Sequence, residues 1–129
     1  MADVNRGNRP LSPHLSVYRV SLTMMTSIVH RITGCALAGS GILVVWWFLA
    51  AARGSDQFAF ADWLLTSWIG GFVLLLSTIA LWFHSCNGIR HLVWDTGAGF
   101  ALDEADKGNL AVLAGTALMT VITLIVALV

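Results

Sequence analysis

The chain has 129 residues, 57% of them hydrophobic and only 11% charged, with a formal net charge of zero. Soluble domains carry about 25% charged residues, and a chain this short cannot hide so much apolar surface inside itself, so lipid is the expected solvent for most of it. A zero net charge without any basic run offers no electrostatic pull on nucleic acid, and no flavin or dinucleotide fingerprint is present.

Taken in chain order, residues 1–20 read as a polar, irregular arm, interrupted by Arg6, Arg9, Arg19, Pro10 and Pro13. It does not read as a signal peptide, because the first apolar run lies too deep in the chain. Ser21–Arg31 is less polar and is expected to start the first helix. An uncharged run follows from Ile32 to Ala52, a second from Trp63 to Ile89 and a third from Leu110 to Val129. About 20 apolar residues cross a bilayer core as helix. The expectation is therefore an all-α chain, a single integral membrane domain over 1–129 with three transmembrane helices near 26–52, 63–90 and 109–129.

Positive charge sets the orientation. Arg6, Arg9, Arg19, Arg31, Arg90 and Lys107 fall on the side of the N-terminus and the second loop, whereas the loop Arg53–Asp62 carries only Arg53. The N-terminus is expected on the cytoplasmic side, or in the matrix of a mitochondrion. Trp46, Trp47, Trp63 and Trp68 flank the outer loop, with Trp82 and Trp94 toward the inner side, as interfacial anchors. Gly34, Ala38 and Gly41 form a small-residue stripe, suited to close helix packing in lipid or to a flat cofactor. Cys35 and Cys86 read as small buried residues, neither metal-binding nor disulfide-forming in their spacing.

Polar residues within the spans carry more information. Ser27, His30 and Arg31 stand at i, i+3 and i+4, on one helical face. They are either a snorkelling arginine with chance neighbours or a polar pocket at the inner membrane surface, with Arg31 for an anionic group and Ser27 for a carbonyl oxygen. His84 lies inside the second span, and Gly88, His91 and Asp95 continue its stripe. Neutral imidazole is a good iron ligand, and a hydrogen-bonded packing role is the alternative. His84 and His91 cannot hold one iron from opposite sides, because seven residues separate them by about 10.5 Å along the axis. Asp95, four residues after His91, is its hydrogen-bond partner, a proton acceptor at the interface or a solvated loop carboxylate.

Two segments together resemble a known family. One runs Arg9-Pro10-Leu11-Ser12-Pro13-His14-Leu15, then Tyr18-Arg19, to Ser27-Ile28-Val29-His30-Arg31-Ile32-Thr33-Gly34. The other is His84-Ser85-Cys86-Asn87-Gly88-Ile89-Arg90-His91-Leu92-Val93-Trp94-Asp95. The motifs S-x-x-H-R-x-T-G and H-x-x-x-G-I-R-H-x-x-x-D resemble those of the cytochrome b subunit of succinate dehydrogenase, the larger membrane anchor of respiratory complex II. The resemblance covers nearly the whole chain, although the loop Thr96–Asn109 and the third span add little beyond helix count.

What the resemblance implies is a heterotetramer. A flavoprotein subunit oxidises succinate, an iron–sulfur subunit carries electrons, and two small membrane anchors bind haem b and reduce ubiquinone. It implies His84 as an axial haem iron ligand, with the opposite histidine from the second anchor. It makes Ser27 and Arg31 the quinone-pocket residues, His30 and Arg31 neighbours of the haem propionates, and His91 a propionate or outer partner. Succinate oxidation would lie on a partner subunit, and the flavin and iron–sulfur clusters with it. A bacterial inner membrane is expected rather than a mitochondrial one, since no Arg/Ser-rich transit segment precedes the motif. The competing expectations are a fumarate reductase anchor, a proton- or ion-translocating subunit without haem whose path runs over Arg31, His84, His91 and Asp95, and a structural anchor whose histidines only pack.

Overall fold

The computed structural model describes residues 17–129. Arg6, Arg9, Pro10, Pro13 and His14, which carry part of the expected arm, lie outside the described residues. Helix α1 spans Leu22–Arg53, α2 Ser55–Thr66, α3 Trp68–Asp95 and α4 Leu102–Leu128. Helix α1 opens at Ser21, whose side chain accepts from the Met24 amide, satisfying one of the free donors of a helix start.

Three of the helices, α1, α3 and α4, are long and apolar enough to cross a membrane. Only 6% of the apolar window of α1 and 17% of those of α3 and α4 are buried within the chain, so their apolar side chains face outward. The interior is correspondingly polar. Among the described residues, Thr26, Thr33, Asn87, Arg90, Asn109, Thr116 and Thr120 are buried, against Ala50, Ala61, Ala80, Phe83 and Val112. That inversion follows from lipid as the solvent: apolar surface gains nothing by leaving it, and polar groups must find partners on neighbouring helices. The chain is a multi-pass membrane protein.

Helix α3 packs against all three others, and α1 also touches α4. Contacts between Thr26 and Asn109, and between Arg90 and both, place the start of α1, the end of α3 and the start of α4 at one end of the bundle. Arg53 and α2 lie at the other.

Helix α2 departs from the sequence expectation. The second span is expected from residue 63, but residues 63–66 close a separate helix of 12 residues, about 18 Å long and too short to cross. The turn into α2 is made at Gly54, at φ 129, a region L side chains rarely adopt. The break into α3 comes at Ser67, in extended conformation, whose Oγ accepts from the Gly70 amide and so caps the new helix. At Gly70 a Cβ would collide with the backbone carbonyls of Leu64 and Leu65, so this sharp corner admits only glycine. Phe58 and Phe60 of α2 pack on Trp47 and Trp46 of α1, making an aromatic cluster at this end. The helix of the third span begins at Leu102, earlier than the expected 109, because Asp103 and Glu104 suit the positive end of a helix dipole.

Other expectations also need correction. Trp82 sits midway along α3 rather than at the inner interface, and its indole donates to Thr123 of α4 at 2.8 Å. Cys35 is exposed rather than buried, while Cys86 is half-buried, against Gly115, where a Cβ would stand 3.2 Å from its sulfur. In the expected stripe, Gly34 meets α3, whereas a Cβ at Gly41 would meet nothing within 4 Å and Ala38 is exposed.

Candidate functional site

Three histidines from two helices gather toward the end of the bundle that holds the start of α1. The imidazoles of His30 (α1) and His84 (α3) stack with centroids 3.9 Å apart and planes 10° from parallel. His91, two turns after His84, packs at 5.2 Å from His30 and edge-on to Trp94. Gly34 permits this closeness: a Cβ there would lie 3.1 Å from His84 Cε1, whereas one at Gly88 would make only ordinary contact, 3.9 Å from His30 Cε1.

His84 Nδ1 faces two oxygens of α1, the His30 carbonyl at 3.1 Å and Thr33 Oγ1 at 3.2 Å. No hydrogen bond among the described residues engages its Nε2, and that atom is not sealed inside the chain, unlike His30 Nδ1, which is buried without a partner. Two histidines stacked face to face leave no space for an ion between them. Among the described residues no three His, Cys, Asp or Glu side chains converge on a metal position. His84 thus offers one outward-facing nitrogen.

Ser27 and Arg31 occupy α1 one turn apart, next to His30, but on its outer flank. Ser27 is half-buried and Arg31 exposed. No hydrogen bond or ion pair among the described residues engages either side chain; the ion pair found there joins Lys107 to Asp103 at 3.4 Å. The structure therefore brings His30, His84 and His91 together and leaves Ser27 and Arg31 side by side on an open face. Asp95 is exposed, and among the described residues no hydrogen bond joins it to His91.

Arg90 departs from its expected place among the interfacial charges: it is only 7% exposed and sits between three helices. Its guanidinium donates to Asn109 Oδ1 of α4 and, at 3.1 Å, to Thr26 Oγ1 of α1, and lies 4.5 Å from the Trp94 ring centroid. Thr26 in turn donates to Asn109 at 2.9 Å, and the Asn109 amide donates to Thr23 at 2.8 Å. A buried cation requires such partners. This one ties the helix turn that precedes Ser27 to the turn that carries His91. Asn87, fully buried between His84 and Arg90, keeps both polar side-chain atoms unpartnered among the described residues. Sequence reasoning assigns no role to Thr26, Thr33, Asn87 or Asn109, although Thr33 is the threonine of S-x-x-H-R-x-T-G; the signal of the others is polar residues within apolar runs.

Comparison with known proteins agrees with the two motifs. Residues 5–123 match the family described as succinate dehydrogenase/fumarate reductase transmembrane subunit. The chain is 51% identical to the succinate dehydrogenase cytochrome b556 subunit of Paracoccus denitrificans, over 98% of this chain and 97% of that one. It is 35% identical to the cytochrome b556 subunit of Rickettsia bellii, over 88% and 89%. It is 37% identical to the mitochondrial cytochrome b560 subunit of Bos taurus, over 88% of this chain and 69% of the relative.

Proposed function

Since the chain belongs to the succinate dehydrogenase/fumarate reductase transmembrane subunit family, and is thereby a membrane-anchor subunit of an oxidoreductase complex, we propose that it binds haem b and ubiquinone and passes electrons from the iron–sulfur subunit to the quinone. The observation that carries this reading is His84, held through Nδ1 by two oxygens of α1, with no hydrogen bond to Nε2 among the described residues. Neutral imidazole with one nitrogen hydrogen-bonded and the other open is the usual state of a haem or metal ligand.

The residues present fit a haem. Gly34 leaves the Cε1 corner of His84 uncovered, where a Cβ would stand 3.1 Å from Cε1, 3.7 Å from Nδ1 and 4.0 Å from Nε2. His84 would hold the iron through Nε2. When bound, haem b supplies a one-electron store beside the quinone. His30 and His91 would bind the propionates or orient the ring. Ser27 would donate a hydrogen bond to one quinone oxygen, and Arg31 would stabilise negative charge developing there. The flavoprotein and iron–sulfur subunits dock at this end of the bundle, which carries Arg19, Arg31 and Lys107. By the positive-inside rule that end, with the N-terminus, faces the cytoplasm of a bacterial cell.

Membranes from a strain lacking this chain should lose succinate-dependent quinone reduction and the reduced b-type haem spectrum, and regain both on complementation. Retention of both without the chain would overturn the reading. A finer check is Gly34→Val, whose side chain must push His84 aside. Haem per flavin in the purified complex should fall several-fold while succinate oxidation by an artificial dye is kept. Unchanged haem content would place the iron away from the Gly34 edge.

A further inference from the structure

Thr33 has no role in the reading above, although it is buried and touches His84. Its hydroxyl donates to the His30 carbonyl at 2.9 Å, one turn back on α1. That bond uses its single hydrogen, so toward His84 Nδ1, 3.2 Å away, Oγ1 can only accept. The His30 carbonyl, 3.1 Å from the same nitrogen, is also an acceptor and nothing else. Both neighbours of Nδ1 are therefore acceptors, and both are satisfied only if Nδ1 carries the hydrogen. The Nε2 lone pair is then the one left for a ligand.

We infer that Thr33 is a positioning residue for His84, fixing its tautomer and ring orientation from α1 and thereby tuning the iron that His84 would hold. The inference rests on the haem reading. Acceptors on the distal nitrogen of a ligating histidine make it a stronger donor, and their loss typically weakens metal binding by about 10–100-fold. The His30 carbonyl stays in place when Thr33 is changed, so the lower end of that range applies. A stronger donor favours the ferric state, so removing the hydroxyl shifts the equilibrium toward ferrous iron. A tenfold shift in a one-electron couple is about 59 mV.

The test compares Thr33→Val, which keeps the shape without the hydroxyl, with Thr33→Ser, which restores it, in the purified intact complex. Haem content and the haem midpoint potential are read alongside dye-linked succinate oxidation. In Thr33→Val the potential should rise, by up to a tenfold shift in the equilibrium, or haem should be lost, and Thr33→Ser should return the wild-type value in either case. An unshifted potential with haem bound in Thr33→Val would overturn the role of Thr33 and leave the haem reading standing. So would equal defects in both variants, which would mean packing rather than the hydroxyl. Absence of haem from the wild-type complex would overturn both together.

Discussion

His84→Ala should abolish the b-type signal in the dithionite-reduced minus oxidised spectrum of the purified complex. The expected loss is complete, because neither of the other described histidines can take over. His30 lies against His84 face to face, 3.9 Å away, and its Nδ1 is shut inside the helix packing. His91 sits about 10.5 Å further along the axis. His84 lies 11 residues before the end of α3, about 16 Å into the helix, at a depth where an ionisable side chain is a functional candidate by default. His91→Ala, which removes a propionate or orienting contact and not the iron ligand, should keep the haem bands at a haem content between those of wild type and His84→Ala. Dye-linked succinate oxidation measured on both variants reports whether the complex still assembles. Haem bands intact in His84→Ala would assign the ligand elsewhere and remove α3 from the centre of the electron path.

The spans are legible in the sequence because lipid selects on length and composition alone, and three uncharged runs near 20 residues leave few alternatives. The helix break at Ser67 is not. Apolar residues continue through it, and the local marks are a serine whose side chain caps the following turn and a glycine three residues on that the corner requires. Arg90 illustrates a second limit. Counting charges assigns it correctly to one end of the bundle but cannot tell a snorkelling arginine from one sealed by Thr26 and Asn109. Those partners stand 64 and 19 residues away in sequence, and the pairing exists only once the registers of α1, α3 and α4 are set. His84 stands out because a histidine inside a span is conspicuous. Its contacts with His30 and Thr33 depend on the same register. Thr33 stands in the first motif, but nothing there hints at a role, since a helical threonine bonding back to its own helix is common.

Arg31→Ala should lower quinone reduction by roughly 10²–10³-fold, the effect of removing one preorganised donor from a site of developing negative charge, with dye-linked succinate oxidation unchanged. Helix α1 has 32 residues, about 48 Å, against a hydrocarbon core of about 30 Å, so each end overhangs by roughly 9 Å if the helix is centred. Arg31 begins about 13 Å from the helix start, close enough to the boundary to snorkel, and exposure without an ion pair suits that role as well as it suits a quinone. Arg31→Lys separates the two. Lysine snorkels equally well but lacks the planar fork of donors. If Arg31 only anchors the helix, Arg31→Lys should turn over quinone at the wild-type rate, and Arg31→Ala should change the amount of complex rather than its turnover. If Arg31 faces the quinone, Arg31→Lys should stay well below wild type. Ser27→Ala, one turn away, should then produce a smaller defect in the same assay, as a raised apparent KM or a slower kcat. Wild-type turnover in both Arg31 variants would remove the quinone from this face of α1.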